Sequence, residues 1–170
     1  MSNRDQPLVL VVGIGNPDRG DDGVGPAIAR RLRVRVPSEA RVLERSGDPL
    51  ALIDDWDGIP SVIVVDAVAP IGEPGRIHRF DLTDGPVAIA FAPRSTHAFG
   101  VAETVELARS LGRLPGDLVV YLVEGERFTT GAPLSPAVAK AVDEVAELII
   151  AELPRISSDH EAATGASSHA

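Results

Sequence analysis

The chain has 170 residues, with 16 Lys+Arg against 25 Asp+Glu and a formal net charge of −9. This length fits one domain, since domains most often contain roughly 100–150 residues. The acidic balance argues against a nucleic-acid binder, which needs a basic patch to displace counterions. Because the chain contains no cysteine, disulfide scaffolds, thiolate metal sites and cysteine nucleophiles are excluded.

In chain order, the hydrophobic patterns predict alternating strands and helices. The predicted elements are a strand at 8–12, a turn-rich loop at 13–25, a helix with apolar positions Val24, Ile28 and Leu32, a strand at 41–44, a helix at 49–56, a strand at 61–65, an edge strand at 75–82, a helix at 98–111, a strand at 118–123 and a helix that Ser135 caps and Pro136 opens.

This alternation predicts an α/β fold with a mainly parallel sheet and helices on both faces. We expect one domain over residues 1–153 and a disordered tail over 154–170, because the tail has no hydrophobic period and few large apolar groups. Ligands of such sheets lie beyond the carboxyl ends of the strands. The loops at 13–25, 66–74 and 92–98 are the candidates for that edge.

No apolar segment approaches the length needed to cross a bilayer. The first apolar run ends at Val12 and follows a polar stretch at 1–7 that has no cleavage-site pattern. We therefore expect a soluble cytoplasmic protein with no membrane partner.

The loop at 13–25 begins Gly-Ile-Gly-Asn and contains two adjacent carboxylates, Asp21 and Asp22. It does not fit a dinucleotide-binding turn, because Asp18 stands where the third glycine belongs and the two carboxylates would repel a pyrophosphate. A single acidic residue suffices to cap the following helix. One of Asp21 and Asp22 is therefore a candidate for function, and the sequence leaves open which.

Asp66 follows the buried run at 62–65. A carboxylate in this position is solvated, hydrogen-bonded to loop amides, or a ligand. Among the four histidines, His160 and His169 fall in the predicted tail, and we expect His78 in the edge strand to be solvated. This leaves His97, in the loop before the helix at 98–111, as the histidine that can face the same sheet edge.

Two carboxylates and one imidazole suit a borderline divalent metal such as nickel, zinc or manganese. Three protein ligands also leave coordination positions free for water or for a substrate group. The residues by themselves indicate a metal site at this edge but leave its metal and its reaction open.

In their order and spacing, three motifs resemble those of the nickel–iron hydrogenase maturation proteases. The first is Gly-x-Gly-Asn followed by an acidic pair and a glycine, the second is Asp-Ala at a strand end, and the third is Ser-x-His-x-x-Gly opening a helix. The matching residues are Gly13, Gly15, Asn16, Asp21, Asp22, Gly25, Asp66, Ala67, Ser95, His97 and Gly100. Leu134-Ser135-Pro136 before the last helix also fits, so the resemblance covers about residues 8–150.

The resemblance implies a three-layer α/β sandwich and an aspartic-type endopeptidase. Its substrate would be the large-subunit precursor of a nickel–iron hydrogenase, which loses a C-terminal extension after nickel insertion. Asp22, Asp66 and His97 correspond to the catalytic, metal-binding trio. The nickel would arrive with the precursor, and no organic cofactor is implied.

Two departures from the family pattern stand out. Many members have Asp-Gly-Gly after the second strand, where this chain has residues 44–48, Glu-Arg-Ser-Gly-Asp; this affects substrate specificity. Asp22 stands where several members have Glu, which shortens the side chain by one methylene and affects only the ligand distance.

Other interpretations account for fewer of these residues. Peptidyl-tRNA hydrolases share the Gly-x-Gly-Asn opening, but their following Tyr and Arg-His-Asn motif is missing here. A serine hydrolase would use Ser95, or Ser46, with His97 and Asp66, yet the chain has no Gly-x-Ser-x-Gly elbow. A non-catalytic nickel-binding or chaperone-like module would bind nickel or the precursor without shortening it.

Overall fold

The computed structural model of the protein describes residues 6–83 and 98–166, and for residues 98, 99 and 156–166 it describes the backbone alone. In chain order the elements are β1 (Val9–Ile14), a 3-10 turn (Gly20–Gly23), α1 (Val24–Leu32), β2 (Ala40–Arg45), α2 (Pro49–Trp56), β3 (Ser61–Val68), β4 (Ile77–Asp81), α3 (Ala98–Ser110), β5 (Asp117–Glu124) and α4 (Pro136–Ala166).

The strands form one five-stranded sheet in the order β2–β1–β3–β5–β4. β1 lies parallel to β2 and to β3, with Val9 opposite Ala40 on one side and Ser61 on the other. β3 is parallel to β5, whereas β4 runs antiparallel to β5 at the edge of the sheet. The prediction of a mainly parallel sheet is confirmed.

Helices cover both faces of the sheet, so the predicted three-layer sandwich is confirmed. Alternate side chains of each central strand enter two separate cores, because successive strand residues point to opposite faces. On one face, α2 and α3 bury Leu52, Trp56 and Val105 against Val64 and its neighbours. On the other face, α1 and α4 supply Ile28, Leu32, Val145 and Ile149.

Local signals in the sequence explain where these helices begin. The Asp48 carboxylate accepts hydrogen bonds from the amides of Leu50 and Ala51 at 2.9 and 3.1 Å, and Pro49 occupies the first position of α2. A side-chain acceptor followed by proline favours a helix start, because it satisfies free amides and fixes φ.

The start of α1 packs against β1 with almost no space between the two backbones. A Cβ atom at Gly25 would lie 2.2 Å from the carbonyl oxygen of Ile14 and 2.8 Å from that of Val65. Only glycine allows this approach. The glycine that ends the first motif therefore determines how closely the loop and helix approach the sheet.

Two boundaries differ from the sequence predictions. β3 continues to Val68, so Asp66 lies inside the strand and not after it. α4 continues through Pro154 to Ala166, where the sequence predicts a disordered tail. A proline removes only one backbone hydrogen bond from a helix, and alanine and glutamate, which favour helices, recur at 161–163. The division into a domain at 1–153 and a tail otherwise stays a prediction.

Among the helices of the described ranges, 6–83 and 98–166, none is both long enough and apolar enough to span a membrane.

We expect replacement of Gly25 by Ala to lower the free energy of unfolding by at least about 2 kcal/mol, because a methyl group there overlaps backbone atoms that cannot rotate away. Urea unfolding of both proteins measures the change. Gly72→Ala is the control, since a Cβ at Gly72 meets no atom within 4 Å. Equal stability of the Gly25→Ala variant and the wild type would contradict this packing.

Candidate functional site

The candidate site lies where the chain order of the sheet reverses. The chain leaves β1 toward β2 on one side, while β3 lies on the other side of β1. Connections that diverge in this way open a crevice at the carboxyl ends of the two strands, which is where ligands of open α/β sheets bind. A cleft of about 170 Å³ occupies this position. The residues that line it include Gly15, Asp22, Gly47, Asp66, Gly100 and Thr104.

The two adjacent carboxylates of the first motif have different surroundings. Asp21 is fully buried, and its carboxylate accepts hydrogen bonds from the backbone amides of Glu126, Arg127 and Ser135 at 2.8, 2.9 and 2.6 Å. The Ser135 hydroxyl donates another at 2.9 Å. Asp21 thus connects the 3-10 turn to the loop after β5 and to the start of α4.

These hydrogen bonds keep Asp21 ionised although it is buried. Burial alone would raise the pKa of Asp21, but the amides of Glu126, Ser135 and Arg127, together with the Ser135 hydroxyl, outweigh it and lower the pKa below its usual value. With its acceptor capacity used by the protein, Asp21 has a structural role. The sequence left open which of the two carboxylates is structural.

Asp22 belongs to the cleft. Its side chain is 5% exposed and lines the cleft, and its Oδ2 accepts a hydrogen bond from the Asn16 amide at 3.0 Å. Gly15 makes this arrangement possible, because its φ is 140° and a Cβ there would lie 1.9 Å from the Asp22 carbonyl oxygen. The first two glycines and the asparagine of the motif therefore hold the loop that carries Asp22.

Asp66 faces the same cleft from near the end of β3, with only 4% of its surface exposed. Burial raises the pKa of Asp66 well above its usual value. The hydrogen bond from the Ala67 amide, 2.8 Å long, lowers the pKa but does not offset burial. The negative charge of Asp22 raises the pKa further. The structure therefore brings Asp22 and Asp66 together, and the pair would gain electrostatically from a cation or a shared proton.

The third predicted ligand, His97, lies outside the described residues, as does Ser95. Among the side chains that the structure describes, those of residues 6–83 and 100–155, no group of three His, Asp or Glu could hold a metal ion. The two carboxylates that are described fit a hard or borderline divalent ion as oxygen ligands. The assignment of Asp22, Asp66 and His97 as a catalytic, metal-binding trio stays a prediction.

The wall of the cleft next to β2 is formed by the segment that departs from the family pattern. Ser46 and Gly47 line the cleft. Arg45 holds this segment in place: its guanidinium forms a two-pronged ion pair with Asp55 of α2 at 2.5 and 2.7 Å, and its carbonyl accepts the Gly15 amide at 3.0 Å. The sequence had marked the whole segment as a departure from the family pattern and Ser46 as an alternative nucleophile, but it gave no role to Arg45.

The opposite wall is formed by α3, where sequence reasoning missed Thr104. This side chain is 1% exposed and lines the cleft, and its hydroxyl donates a 2.7 Å hydrogen bond to the Gly100 carbonyl. Its four-residue spacing from Gly100 was the available signal, because residues four apart lie on one face of a helix.

Another buried carboxylate, Glu124 at the end of β5, was also missed. Its Oε2 accepts hydrogen bonds from three successive amides, those of residues 71–73, at 2.8–3.1 Å. Its Oε1 lies 2.7 Å from Nε2 of His78. The expectation that His78 is solvated holds only in part: its side chain is 25% exposed, but the pairing of β4 with β5 places it beside this carboxylate.

Comparisons with known proteins agree with this geometry. Residues 26–152 match the family model described as hydrogenase maturation protease. A protein of Methanocaldococcus jannaschii that is named as a hydrogenase maturation protease is 32% identical over 86% of this chain and 97% of its own length. The hydrogenase expression/formation protein HupD of Bradyrhizobium diazoefficiens is 30% identical over 76% of this chain and 69% of its own length.

Solved structures show the same fold. The hydrogenase maturating endopeptidase HybD from E. coli superposes with a TM-score of 0.74 at 25% identity, covering 86% of this chain and 92% of that one. The [NiFe] hydrogenase maturation protease HybD from Thermococcus kodakarensis, at 24% identity, has a TM-score of 0.70 over 83% of this chain and 95% of its own.

We expect replacement of Asp21 by Ala to destabilise the protein by about 3 kcal/mol or more, because three backbone amides, the buried amide of Ser135 among them, lose their acceptor. Asp22→Ala removes the acceptor of the Asn16 amide, a contact that is only partly buried, and should lower the free energy of unfolding by about 1 kcal/mol. Denaturant unfolding of the two variants measures the difference. If Asp22→Ala proves the more destabilising, the assignment of the two roles is wrong.

The Glu124 carboxylate predicts a pH-dependent contribution to stability. Burial opposes its ionisation, but His78 and the amides of Gly72, Glu73 and Ile71 outweigh burial and lower the pKa from 4.5 to about 2. A group with a lowered folded-state pKa stabilises the protein above its unfolded pKa and loses this effect as the pH falls through the folded value. The shift corresponds to on the order of 3 kcal/mol.

Replacement of Glu124 by Gln should therefore lower the melting temperature most above pH 5. The difference from the wild type should narrow as the pH falls from about 4.5 to about 2. Thermal unfolding followed by circular dichroism across this range measures it. Glu126→Gln is the control, because Glu126 is exposed at the same end of β5. A Glu124→Gln difference that does not change with pH would contradict the ionised state of Glu124.

Proposed function

Because this chain belongs to the hydrogenase maturation protease family, whose members are peptidases, we propose that it cuts the C-terminal extension from the large-subunit precursor of a nickel–iron hydrogenase. The cut follows nickel insertion, and the nickel enters the site as part of the substrate. The reaction takes place in the cytoplasm.

One observation carries the proposal: Asp22 and Asp66, from two different elements, face one cleft at the carboxyl edge of the sheet. Both carboxylates are almost fully buried. Burial and the charge of Asp22 raise the pKa of Asp66, although the Ala67 hydrogen bond acts in the opposite direction. A positive ion supplied by the substrate would therefore relieve the repulsion between the two carboxylates. A nickel-free precursor brings no such ion and is expected to bind poorly.

In this mechanism the protein residues bind and orient the reacting groups. Asp22 and Asp66 offer carboxylate oxygens to the nickel of the precursor, and His97 offers an imidazole nitrogen. Nickel supplies a Lewis acid that polarises the scissile carbonyl or lowers the pKa of the attacking water. The water oxygen bonds to the carbonyl carbon, the C–N bond breaks, and the proton passes to the leaving amine. No covalent link between enzyme and substrate is required.

Two alternatives are separable by experiment. A serine hydrolase with Ser95, His97 and Asp66 would lose activity on Ser95→Ala, whereas metal-assisted hydrolysis would retain most of it. A non-catalytic nickel-binding or chaperone-like module would bind the nickel-loaded precursor and leave its mass unchanged. Mass spectrometry of the precursor after incubation distinguishes all three.

We predict that replacement of Asp66 by Asn reduces cleavage of nickel-loaded precursor at least about 100-fold, while the melting temperature stays close to that of the wild type. An amide has nearly the shape of the neutral carboxyl that the raised pKa favours, but it is a poor metal ligand. The measurements are product mass and thermal unfolding. Asp18→Asn, at an exposed carboxylate of the same loop, is the control and should cleave normally.

His97→Ala should also abolish cleavage, whereas Asp22→Glu should be tolerated because family members carry Glu at that position. The metal-assisted mechanism would be wrong if the Asp66→Asn variant cleaved the precursor as fast as the wild type does. It would also be wrong if the wild type processed nickel-free and nickel-loaded precursors equally well.

A further inference from the structure

Three glycines, Gly15, Gly47 and Gly100, line the cleft. The backbone conformation explains two of them, because φ is 140° at Gly15 and 100° at Gly47, a region that other residues rarely adopt. Gly100 has no such explanation: it lies in the first turn of α3 and is not among the glycines with positive φ.

Packing within the described chain does not explain Gly100 either. At Gly25 an added Cβ would collide with backbone atoms, but at Gly100 it meets no atom within 4 Å outside the helix's own backbone. Glycine is also a poorer helix former than alanine. Among the described residues nothing would obstruct alanine at this position, yet the protein carries the less favourable helix former there.

Gly100 itself lines the cleft. Val101 and Thr104, which follow Gly100 on α3, also line it, and the Thr104 hydroxyl fixes the first turn through its bond to the Gly100 carbonyl. The cleft of about 170 Å³ is smaller than the roughly 300–1,000 Å³ that holds a drug-sized ligand. In so small a space a single methyl group changes what can enter.

We propose that Gly100 is a specificity-determining residue that leaves room for the main chain of the precursor beside the scissile bond. Glycine allows close approach of another backbone, and Gly15 and Gly47 give the facing parts of the cleft the same character. The inference rests on the proposed function. It adds that the substrate backbone contacts the wall of the cleft formed by α3. Side chains at position 100 compete with that backbone for the same volume.

The test uses the full chain, nickel-loaded precursor and the variants Gly100→Ala and Gly100→Leu. Because alanine and leucine favour helices, Gly100→Ala should raise the Tm by about 1–3 °C or leave it unchanged. The KM for the precursor should rise about tenfold with Ala and further with Leu, while kcat changes less. Gly72→Ala is the matched control, with equal free space in a loop outside the cleft lining, and should leave KM unchanged.

The inference is supported if the KM rises with the size of the side chain at position 100 while the Tm does not fall. A purely structural role of Gly100 would lower the Tm instead. If the wild type cleaves the precursor and the Gly100→Ala variant has an unchanged KM, the inference about Gly100 is wrong while the proposed function stands. Failure of the wild type to shorten the precursor overturns the proposed function and this inference with it. If Gly100→Leu does not fold, the Ala variant still decides.

Discussion

The backbone of the loop before α1 lies in direct contact with the end of β1, and this contact determines the geometry of the whole carboxyl edge. Gly25 and Gly15 permit separations at which any side chain would overlap carbonyl oxygens. With the loop held this closely, the 3-10 turn directs Asp21 toward α4 and Asp22 into the cleft. The divergence of β1 and β3 leaves the crevice into which Asp22 and Asp66 then project.

Three buried carboxylates at this edge illustrate how surroundings decide the role of identical chemical groups. The oxygens of Asp21 and Glu124 accept hydrogen bonds from several amides and from the Ser135 hydroxyl and His78, respectively. Both carboxylates are thereby held ionised and fasten loops to the end of β5. Asp66 has little such compensation, and burial raises the pKa of its carboxyl group. A carboxylate that the protein leaves incompletely compensated is available to a ligand, whereas a saturated one serves the fold.

Much of the fold follows from local patterns, because continuous β-branched runs such as 61–65 and the capped helix start at Asp48 report on their own elements. The motifs also placed Asp22 and Asp66 at the correct edge. Contacts that depend on strand pairing were not predictable: the partnership of His78 with Glu124 follows from the β4–β5 register, which no single sequence pattern specifies. The separation of roles between Asp21 and Asp22 likewise required knowing what lies opposite each side chain.

The hydrogen bonds of Asp21 reach partners 105–114 residues later in the chain. These contacts can form only once residues 126, 127 and 135 have been synthesised. A ribosome that has released only the first two thirds of this protein has exposed Asp22 and Asp66 but not Ser135, which helps to hold the turn beside them. The site is therefore completed only when the last helix begins to form, and a partly synthesised chain has no finished cleft.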